Sequence, residues 1–283
     1  KDIEVVVLET SASTTLEVRA AIEAGNDVTT GGNFTADGRD FDYTTGSLTG
    51  DPGVYGISTS GTVDQTGSSQ IGGNGQAPDG TEAQTEQNLT WGDSIDNDGD
   101  AATDEEAWDG IDNDGDGQTD EDTDGYATDP DGRVGLPPGT LKAAAQNAGT
   151  YFTDGTQYDA WIAANGGKPV PGSIIYVEAD SWISVNLGTT APGDDPSILV
   201  CHNSTSTMLM KNIHGNFTGL IVADYVDHTN GTAMIYGGFL CLSGQLGNAF
   251  GNGTATVRYS RNALANLAAA LPDGYQRISW KQE

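Results

Sequence analysis

Aspartates at regular spacing fill the stretch from residue 93 to residue 125, DSIDNDGDAATDEEAWDGIDNDGDGQTDEDTDG. Two units within it begin Ile-Asp-Asn-Asp-Gly-Asp, at Ile95 and at Ile111, so the stretch is a tandem repeat with an offset of 16 residues. Residues 93–132 hold 17 acidic side chains and no basic one. Like charges at this density oppose compaction unless cations neutralise them. The spacing therefore predicts a cation-binding repeat, and a solvated acidic linker is the alternative.

The chemistry of the ligands in this repeat favours calcium. Many hard oxygen ligands select calcium over zinc and magnesium. Each unit reads D-x-D-x-D-x-x-x-D-E, which resembles the first nine positions of an EF-hand loop. Ala107 and Thr123 stand where that loop has its closing Glu, and Ala101 replaces the turn glycine of the first unit. The units are therefore not EF-hands, and they resemble the short calcium repeats of thrombospondin type 3 and of bacterial surface proteins.

We expect at least two calcium ions in this stretch. Ala102 and Gln118 would contribute backbone carbonyls, and Asp109 and Asp122 would be ligands shared between neighbouring repeats. A third ion is expected near Asp124, Asp129 and Asp131. The predicted metal ligands are Asp96, Asp98, Asp100, Ala102, Asp104, Glu105, Asp109, Asp112, Asp114, Asp116, Gln118, Asp120, Glu121 and Asp122.

The composition points to a mainly β protein of the cell exterior. The formal charge of -30 argues against nucleic acid and anionic membranes as partners. The 40 glycines and the abundant Asn, Ser, Thr and Asp are typical of a turn-rich chain. No apolar run approaches the ~20 residues that a membrane span needs, and no signal peptide is present. The sequence thus predicts a soluble ectodomain or mature form, extracellular or on a bacterial cell surface.

The chain divides into four expected regions. Residues 1–73 form an N-terminal β region, in which VRAAIEAG is compatible with a short helix or a strand. Residues 74–133 are a linker and the calcium-binding insert, residues 134–172 a short helical segment, and residues 173–283 a C-terminal β region and tail. Apolar strands separated by Asn/Gly/Thr corners recur there every ~16–22 residues, which predicts a parallel β-helix, a solenoid.

Two short helices are expected between residues 136 and 166. The first would begin at an N-cap on Thr140 and stop at Gly149, and the second would begin at Thr156. The second helix would bury one face, formed by Tyr158, Trp161 and Ile162.

The two cysteines of the chain, Cys201 and Cys241, are predicted to form a disulfide. An even cysteine count in a chain of secreted character favours the bond, and two buried thiols are the alternative.

The sequence outside the acidic stretch resembles the PilX-type minor pilins of bacteria. The resemblance lies in VTTGGNFTADGRDFD, PGVYGISTSGTVDQTGSSQIGG, LPPGTLKAAAQNAGTYF, GNFTGLIVADYV, NGTAMIYGGFL and the C-terminal VRYSRNALANLAAALPDGYQRISWKQE. It implies a pilus-associated surface protein in which residues 1–73 and 173–283 build one solenoid. Such proteins begin with a hydrophobic helix, whereas this sequence opens on the strand-like IEVVVLE. The helix was then removed, or the chain is a relative that assembles without it.

The main alternative function is a calcium-dependent β-helix polysaccharide lyase or hydrolase. A lyase needs a cation beside the substrate carboxylate. The β region offers Lys211, Arg258 and Arg261, none of them in a recognisable motif. The three histidines, His202, His214 and His228, are scattered and are expected on the surface or in turns.

The expected function is therefore non-enzymatic. The sequence predicts a calcium-stabilised structural component of the cell surface, pilus-associated or filament-forming, and an adhesive role is compatible with it. The expected partners are other copies of the chain or pilin subunits, and also surface polysaccharide. Filament growth would occur by strand addition at the open sheet edges at the ends of a solenoid.

Overall fold

Parallel strands dominate the protein. The computed structural model describes residues 18–79, 84–87, 129–134, 136–228, 230–244, 246–251 and 253–270. These residues form 20 strands and four helices, and all but one of the strand pairs are parallel. The prediction of a mainly β protein with large parallel sheets is confirmed.

The strands are short, apart from two of ten residues. The first nine are β1 (Ala20–Ala24), β2 (Val28–Thr30), β3 (Thr35–Asp37), β4 (Phe41–Asp42), β5 (Ser47–Leu48), β6 (Tyr55–Thr59), β7 (Val63–Gln65), β8 (Gln70–Gly72) and β9 (Thr85–Gln87). The others are β10 (Tyr151–Phe152), β11 (Ile174–Val177), β12 (Ser181–Ile183), β13 (Asn186–Thr189), β14 (Ser197–Cys201), β15 (Leu209–Lys211), β16 (His214–Ala223), β17 (Tyr225–His228), β18 (Thr232–Cys241), β19 (Asn248–Phe250) and β20 (Thr254–Tyr259).

Successive strands fall into three series, which we call faces 1, 2 and 3. Face 1 runs in the order β10, β11, β14, β16, β18, β1, β6, β9. Face 2 runs in the order β12, β15, β17, β19, β2, β7. Face 3 contains β13, the first halves of β16 and β18, then β20, β3 and β8. The six turns of the stack from β11 to β8 thus each add one strand to each face, which is a solenoid-like arrangement, and the β4–β5 hairpin lies outside the three faces.

The N-terminal strands continue the stack that the C-terminal strands begin. On face 1, Ile22 of β1 pairs with Phe239 of β18, and on face 2 Val28 of β2 pairs with Asn248 of β19. On face 3, β3 pairs with β20. On each of the three faces, the sheet therefore continues without interruption from the last C-terminal strand to the first N-terminal strand.

Aromatic and aliphatic side chains fill the space between the faces. Phe239 of face 1 and Phe34 at the start of face 3 both contact Phe250 of face 2, with ring centroids 5.6 Å and 5.1 Å apart. All three rings are buried. Burial of such large apolar side chains contributes about 2 kcal/mol or more each, so this shared interior is a main source of stability.

Four helices accompany the sheets: α1 (Pro130–Arg133), α2 (Thr140–Ala148), α3 (Gly155–Ala164) and α4 (Arg261–Ala270). Helix α2 packs against β11, and α4 packs against β16 and β18, so both lie on the outer side of face 1. Every residue of β1 and of β14 is also buried. Strands covered on both sides read as continuous apolar runs, which explains segments such as SILVC.

Helix α3 covers the β10 end of the stack. Tyr158 of this helix contacts Trp182 of face 2 with ring centroids 4.8 Å apart, and its hydroxyl donates to the Leu187 carbonyl at 3.2 Å. Ile162 is also buried, and Trp161 packs against the core. The predicted buried face of this helix is confirmed.

The two predicted helices are present, but their N-caps differ from the predicted ones. Gly139, not Thr140, is the N-cap of α2, and Asp154, not Thr156, is the N-cap of α3. The stop at Gly149 is confirmed, with φ at 73°. The segment VRAAIEAG contains strand β1, so the helical alternative is wrong. Helix α4 was not predicted.

None of the helices in the part of the chain that the structure describes is long and apolar enough to cross a membrane.

Glycines in β16 and β18 mark the points where these strands pass from face 3 to face 1, and they generate a prediction. Gly237 has φ at 135°, and a Cβ there would lie 2.0 Å from the Gly219 carbonyl oxygen. We expect Gly237→Ala to lower the free energy of unfolding by about 3 kcal/mol or more, because the backbones cannot separate without breaking the ladder. Urea unfolding measures the change.

The matched control is Gly166→Ala. Gly166 also has a positive φ, 77°, but no atom lies within 4 Å of the position that a Cβ would take there. That substitution should cost only about 1 kcal/mol. Equal losses for the two variants would contradict the role of close strand approach at Gly237.

Candidate functional site

The predicted calcium ligands, residues 96–122, all lie outside the described residues. The acidic stretch to which they belong is bracketed by two elements that the structure does describe, strand β9 before it and helix α1 after it. Within the described residues, no group of three or more His, Cys, Asp or Glu side chains is arranged to hold a metal ion. The contacts that the structure describes around the acidic stretch are therefore those at its two ends, where it joins β9 and α1.

The first attachment point is strand β9. Its residues Thr85–Gln87 pair in parallel with Ile57, Ser58 and Thr59 of β6. The Gln84 carbonyl accepts the Gly56 N–H at 3.1 Å. The chain therefore leaves face 1 from a hydrogen-bonded strand.

The second attachment point is helix α1, which two aspartates organise. Asp129 is the N-cap, and its Oδ1 accepts the N–H groups of Asp131 and Gly132 at 3.0 Å and 2.9 Å. Asp131 in turn accepts the N–H groups of Leu141 and Gly139 at 2.7 Å and 2.8 Å. It thereby supplies the capping carboxylate for α2, whose own N-cap is a glycine without a side chain.

These contacts bear on the third calcium ion expected near Asp124, Asp129 and Asp131. Both carboxylate oxygens of Asp131 are occupied by backbone N–H groups, and burial raises the pKa of this carboxyl above its ordinary value. The structure assigns Asp129 and Asp131 to helix capping, and Asp124 lies outside the described residues.

A buried ion pair fixes α1 to the N-terminal part of the stack. The Arg133 guanidinium donates to the Glu23 carboxylate, and the Glu23 side chain is fully buried. Glu23 lies in β1, where it also accepts the Ala20 N–H at 3.3 Å. Removing one member of such a pair leaves the other as an uncompensated buried charge. The end of the acidic stretch is thus tied to the strand that joins the two parts of the chain.

Sequence reasoning missed this ion pair, although two signals pointed to it. Glu23 is the one acidic residue inside the apolar run AAIEA of β1. Arg133 is the first basic residue after the acidic stretch. A charge in an apolar strand requires a partner, and the first available cation after the insert supplies it.

A second group of polar side chains joins α2 to the first strands of face 1. The Glu178 carboxylate receives the Lys142 ammonium and the Tyr151 hydroxyl, each at 2.6 Å. Burial acts to raise the pKa of Glu178, but these two hydrogen bonds outweigh it and the pKa is lowered. The same bond to Glu178, together with burial, raises the pKa of Tyr151 to about 12. Glu178 therefore accepts from Lys142 of α2 and from Tyr151 of β10, and these bonds hold α2 on β10 and β11.

His202 and Asp224 form a further pair at the ends of β14 and β16. His202 Nδ1 lies 2.5 Å from Asp224 Oδ1, and the Asp224 carboxylate is fully buried. Asp224 also accepts the N–H groups of Asn203 and Met208, both at 3.0 Å. A histidine held by a carboxylate is the arrangement of a general base. Here the carboxylate also closes the 202–208 loop, which is a structural role.

The cysteines are separate buried thiols and do not form the predicted disulfide. Cys201 pairs in register with Ala223, and Ala223 pairs with Cys241, so one strand lies between the cysteines. Two strand spacings place their Cα atoms about 10 Å apart, beyond the roughly 7 Å that a disulfide spans. Burial raises the pKa of both thiols, which disfavours the reactive thiolate.

Each basic side chain in the described residues has a partner. Five carboxylates pair with Arg39, Lys142, Lys168, Lys211 and Arg261, and Glu23 pairs with Arg133. Arg258 lies over the Phe41 ring at 4.6 Å and donates to the Tyr236 hydroxyl at 3.1 Å. Arg19 is likewise engaged. The lyase candidates Lys211 and Arg258 are therefore engaged within the protein, whereas the pair of Arg261 with Asp51 is long and exposed.

The expectation that all three histidines lie on the surface or in turns is wrong for His228. His228 is 1% exposed, and its Nδ1 accepts the Ile213 N–H at 3.0 Å. Gly231 and Gly253 pack so closely that a Cβ on either would approach the imidazole to within 3.1 Å. The ring fills a corner between faces 2 and 3, and it needs an unprotonated Nδ1 to do so.

No family model, curated protein or solved structure matches this chain.

The buried ion pair gives the first prediction for this site. We expect Arg133→Ala to lower the free energy of unfolding by about 3–5 kcal/mol, because Glu23 would remain charged and buried. Glu23→Gln combined with Arg133→Met should recover most of the loss, since it removes the charge and keeps an acceptor for the Ala20 N–H. Urea unfolding at constant calcium measures all three proteins.

The control for this prediction is Arg261→Ala. The pair of Arg261 with Asp51 has an N–O distance of 3.5 Å and is more than half exposed on both sides. Its loss should cost less than about 1 kcal/mol. A loss in Arg133→Ala no larger than in Arg261→Ala would contradict the anchoring role of the buried pair.

The burial of His228 predicts that the folded protein loses stability in acid. Burial, with a smaller contribution from His214, lowers its pKa from 6.5 to about 4. The unfolded chain therefore binds a proton below pH ~6.5 that the folded chain excludes until pH ~4, so stability falls as the pH drops through this window. The loss at pH 4.5 is on the order of 2–3 kcal/mol.

A His228→Asn variant tests this, because an amide oxygen can accept the Ile213 N–H without titrating. The decrease in unfolding free energy between pH 7.5 and 4.5 should be smaller in His228→Asn than in wild type. His214→Asn, at an exposed position, serves as control and should retain most of the wild-type decrease, because burial is the larger cause of the lowered pKa of His228. An unchanged decrease in His228→Asn would refute the prediction.

Proposed function

We propose that this protein is a non-enzymatic, extracellular structural component of a bacterial surface, pilus-associated or filament-forming, that is stabilised by calcium. The observation that carries the proposal is the bracketing of the acidic stretch. Strand β9 holds its start, and helix α1 holds its end through the buried Glu23–Arg133 pair. Ions bound in the stretch would therefore be coupled to a rigid stack of sheets.

A parallel β-helix is the architecture that we infer for this stack. Its support is the regular return of the chain to three faces with parallel pairing at every turn. Proteins of this kind resist bending along the stack axis because each turn is hydrogen-bonded to the next over its length. That property suits a load-bearing surface component.

The charge distribution supports calcium as the stabilising ion. Residues 88–128 carry 15 acidic side chains and no basic one, half of the formal charge of -30. Because both ends of the stretch are attached to the stack, the charges cannot separate freely. Cations that bind only the folded arrangement add their binding free energy to stability.

The partners of the basic residues support a non-enzymatic role over a lyase. A lyase places an uncommitted cation beside the substrate. Here Lys211 is bound to Asp227 at 2.6 Å, and Arg258 is stacked on Phe41. The His202–Asp224 pair closes a loop, which is a structural use of groups that could otherwise do acid–base chemistry.

Sedimentation velocity with millimolar calcium and then with excess chelator tests the proposal. Filament formation predicts large assemblies in calcium that dissociate on chelation. A pilus-associated subunit predicts a compact monomer in calcium that expands on chelation, because repulsion in the acidic stretch is then unscreened. An identical sedimentation profile in both conditions would overturn the calcium proposal.

The variant Asp112→Ala sharpens the test. It should remove one bound ion, measured by calorimetric calcium titration, and lower the thermal midpoint in calcium but not in chelator. The control Asp64→Ala removes one carboxylate from an exposed position on face 2. It should leave both the ion count and the thermal midpoint unchanged.

A further inference from the structure

The three faces of the stack differ in the chemistry of their outer sides. Face 1 is covered by α2 and α4. Face 2 carries a mixed row that includes charges, and its successive in-register positions are Ile183, Lys211, Asp227, Ala249, Thr29 and Asp64. Face 3 is different from both.

The outer side of face 3 is lined mostly by uncharged hydroxyl and amide groups. One row crosses six strands in register, at Thr189, Asn216, Met234, Thr256, Thr35 and Gln70. A neighbouring row contains Asn186, His214, Thr232 and Thr254. All ten side chains are exposed or half-buried, and none is a carboxylate, lysine or arginine.

The alternation of burial shows that these rows point away from the core. In β20 the pattern is exposed Thr254, buried Ala255, half-buried Thr256 and buried Val257. In β18, Met234 lies between the buried Ala233 and Ile235. Neighbouring strands are about 4.8 Å apart, so the longer row is about 24 Å in length.

An aromatic margin borders this surface. Tyr236, two residues beyond Met234 in β18, is half-buried, and its ring contacts Phe41 with centroids 6.5 Å apart. The β4–β5 hairpin therefore stands beside the rows. Arg258, which pairs in register with Tyr236, stacks on the buried Phe41 ring and donates to the Tyr236 hydroxyl, so this margin also carries one charged group. The half-buried Tyr236 ring, next to hydroxyl and amide donors, offers an apolar and a polar contact to a sugar ring.

We propose that face 3 binds an extended, neutral polysaccharide. A protein of formal charge -30 repels polyanions, whereas the two rows themselves carry no charged side chain and suit an uncharged polymer. Asn and Gln amides and Thr hydroxyls both donate and accept, which matches sugar hydroxyls. The rows repeat hydroxyl or amide groups at every strand, ~4.8 Å apart, so an extended polymer lying along a row can contact several strands at once.

This binding role deepens the proposed function, since it names the class of partner that a surface component of this kind would hold. It does not depend on calcium, because every residue of the two rows lies on a described strand. If chelation left the sedimentation profile unchanged, the binding proposal for face 3 would still stand. If no neutral polysaccharide retained the protein, the calcium proposal would still stand.

The test is retention of the calcium-loaded protein on insoluble neutral polysaccharides, namely cellulose, chitin and mannan, compared with polygalacturonate gel. The wild-type protein should be retained by at least one neutral polymer and not by the polyanion. Thr256→Lys, which places a long charged side chain in the middle of the row, should weaken the retention constant at least tenfold.

The matched control is Thr29→Lys, the same substitution at an outward position of a strand on face 2. It should retain the wild-type constant, and both variants should keep the wild-type thermal midpoint. Three results would overturn the proposal: no retention of the wild type on any neutral polymer, equal losses in the two variants, or preferential retention on polygalacturonate. Self-association that Thr256→Lys abolishes would also overturn it, since face 3 would then be a contact between copies.

Discussion

The pairing of β1 with β18 is the contact on which the rest of the structure depends. It joins strands more than 200 residues apart in the chain, and it makes the N-terminal turns a continuation of the C-terminal ones. Closing a long loop costs conformational entropy only logarithmically with length, so one large insertion between the two halves is tolerated. The three faces and their shared aromatic interior then follow from repetition of the same turn.

The same pairing explains where the buried charges lie. Glu23 is part of β1, and Arg133 reaches it from α1 at the end of the acidic stretch. The pair therefore links three regions at one point: the N-terminal strands, the C-terminal strands and the insert. Hydrogen bonds that Asp131 accepts from the start of α2 extend this link to the helices that cover face 1. Events in the acidic stretch are thereby connected to the centre of the stack rather than to its periphery.

The chemical difference between the outer sides of the three faces has a physical cause. An apolar sheet surface needs a cover, and helices α2 and α4 provide it for face 1. Faces 2 and 3 are polar on their outer sides and stand without such a cover within the described residues. Their difference in charge, with Lys211 and Asp227 on face 2 and Thr and Asn on face 3, gives the protein two chemically distinct surfaces. The outward row on face 2 carries charges of both signs, whereas the two outward rows on face 3 carry none and Arg258 lies at their margin.

The sequence by itself determined the mainly β class, the two helices near residues 140 and 160 and the stop at Gly149. These features depend on local patterns: apolar alternation and helix-terminating glycine. The acidic repeat is also recognisable from the sequence alone, and the assignment of its side chains as calcium ligands remains a prediction. Only the tertiary structure decided that Cys201 and Cys241 are one strand too far apart to bond, that His228 is buried, and that Glu23 pairs with Arg133. Each of these depends on which distant strands become neighbours, and register between strands is set by packing across the whole stack, which no local pattern specifies.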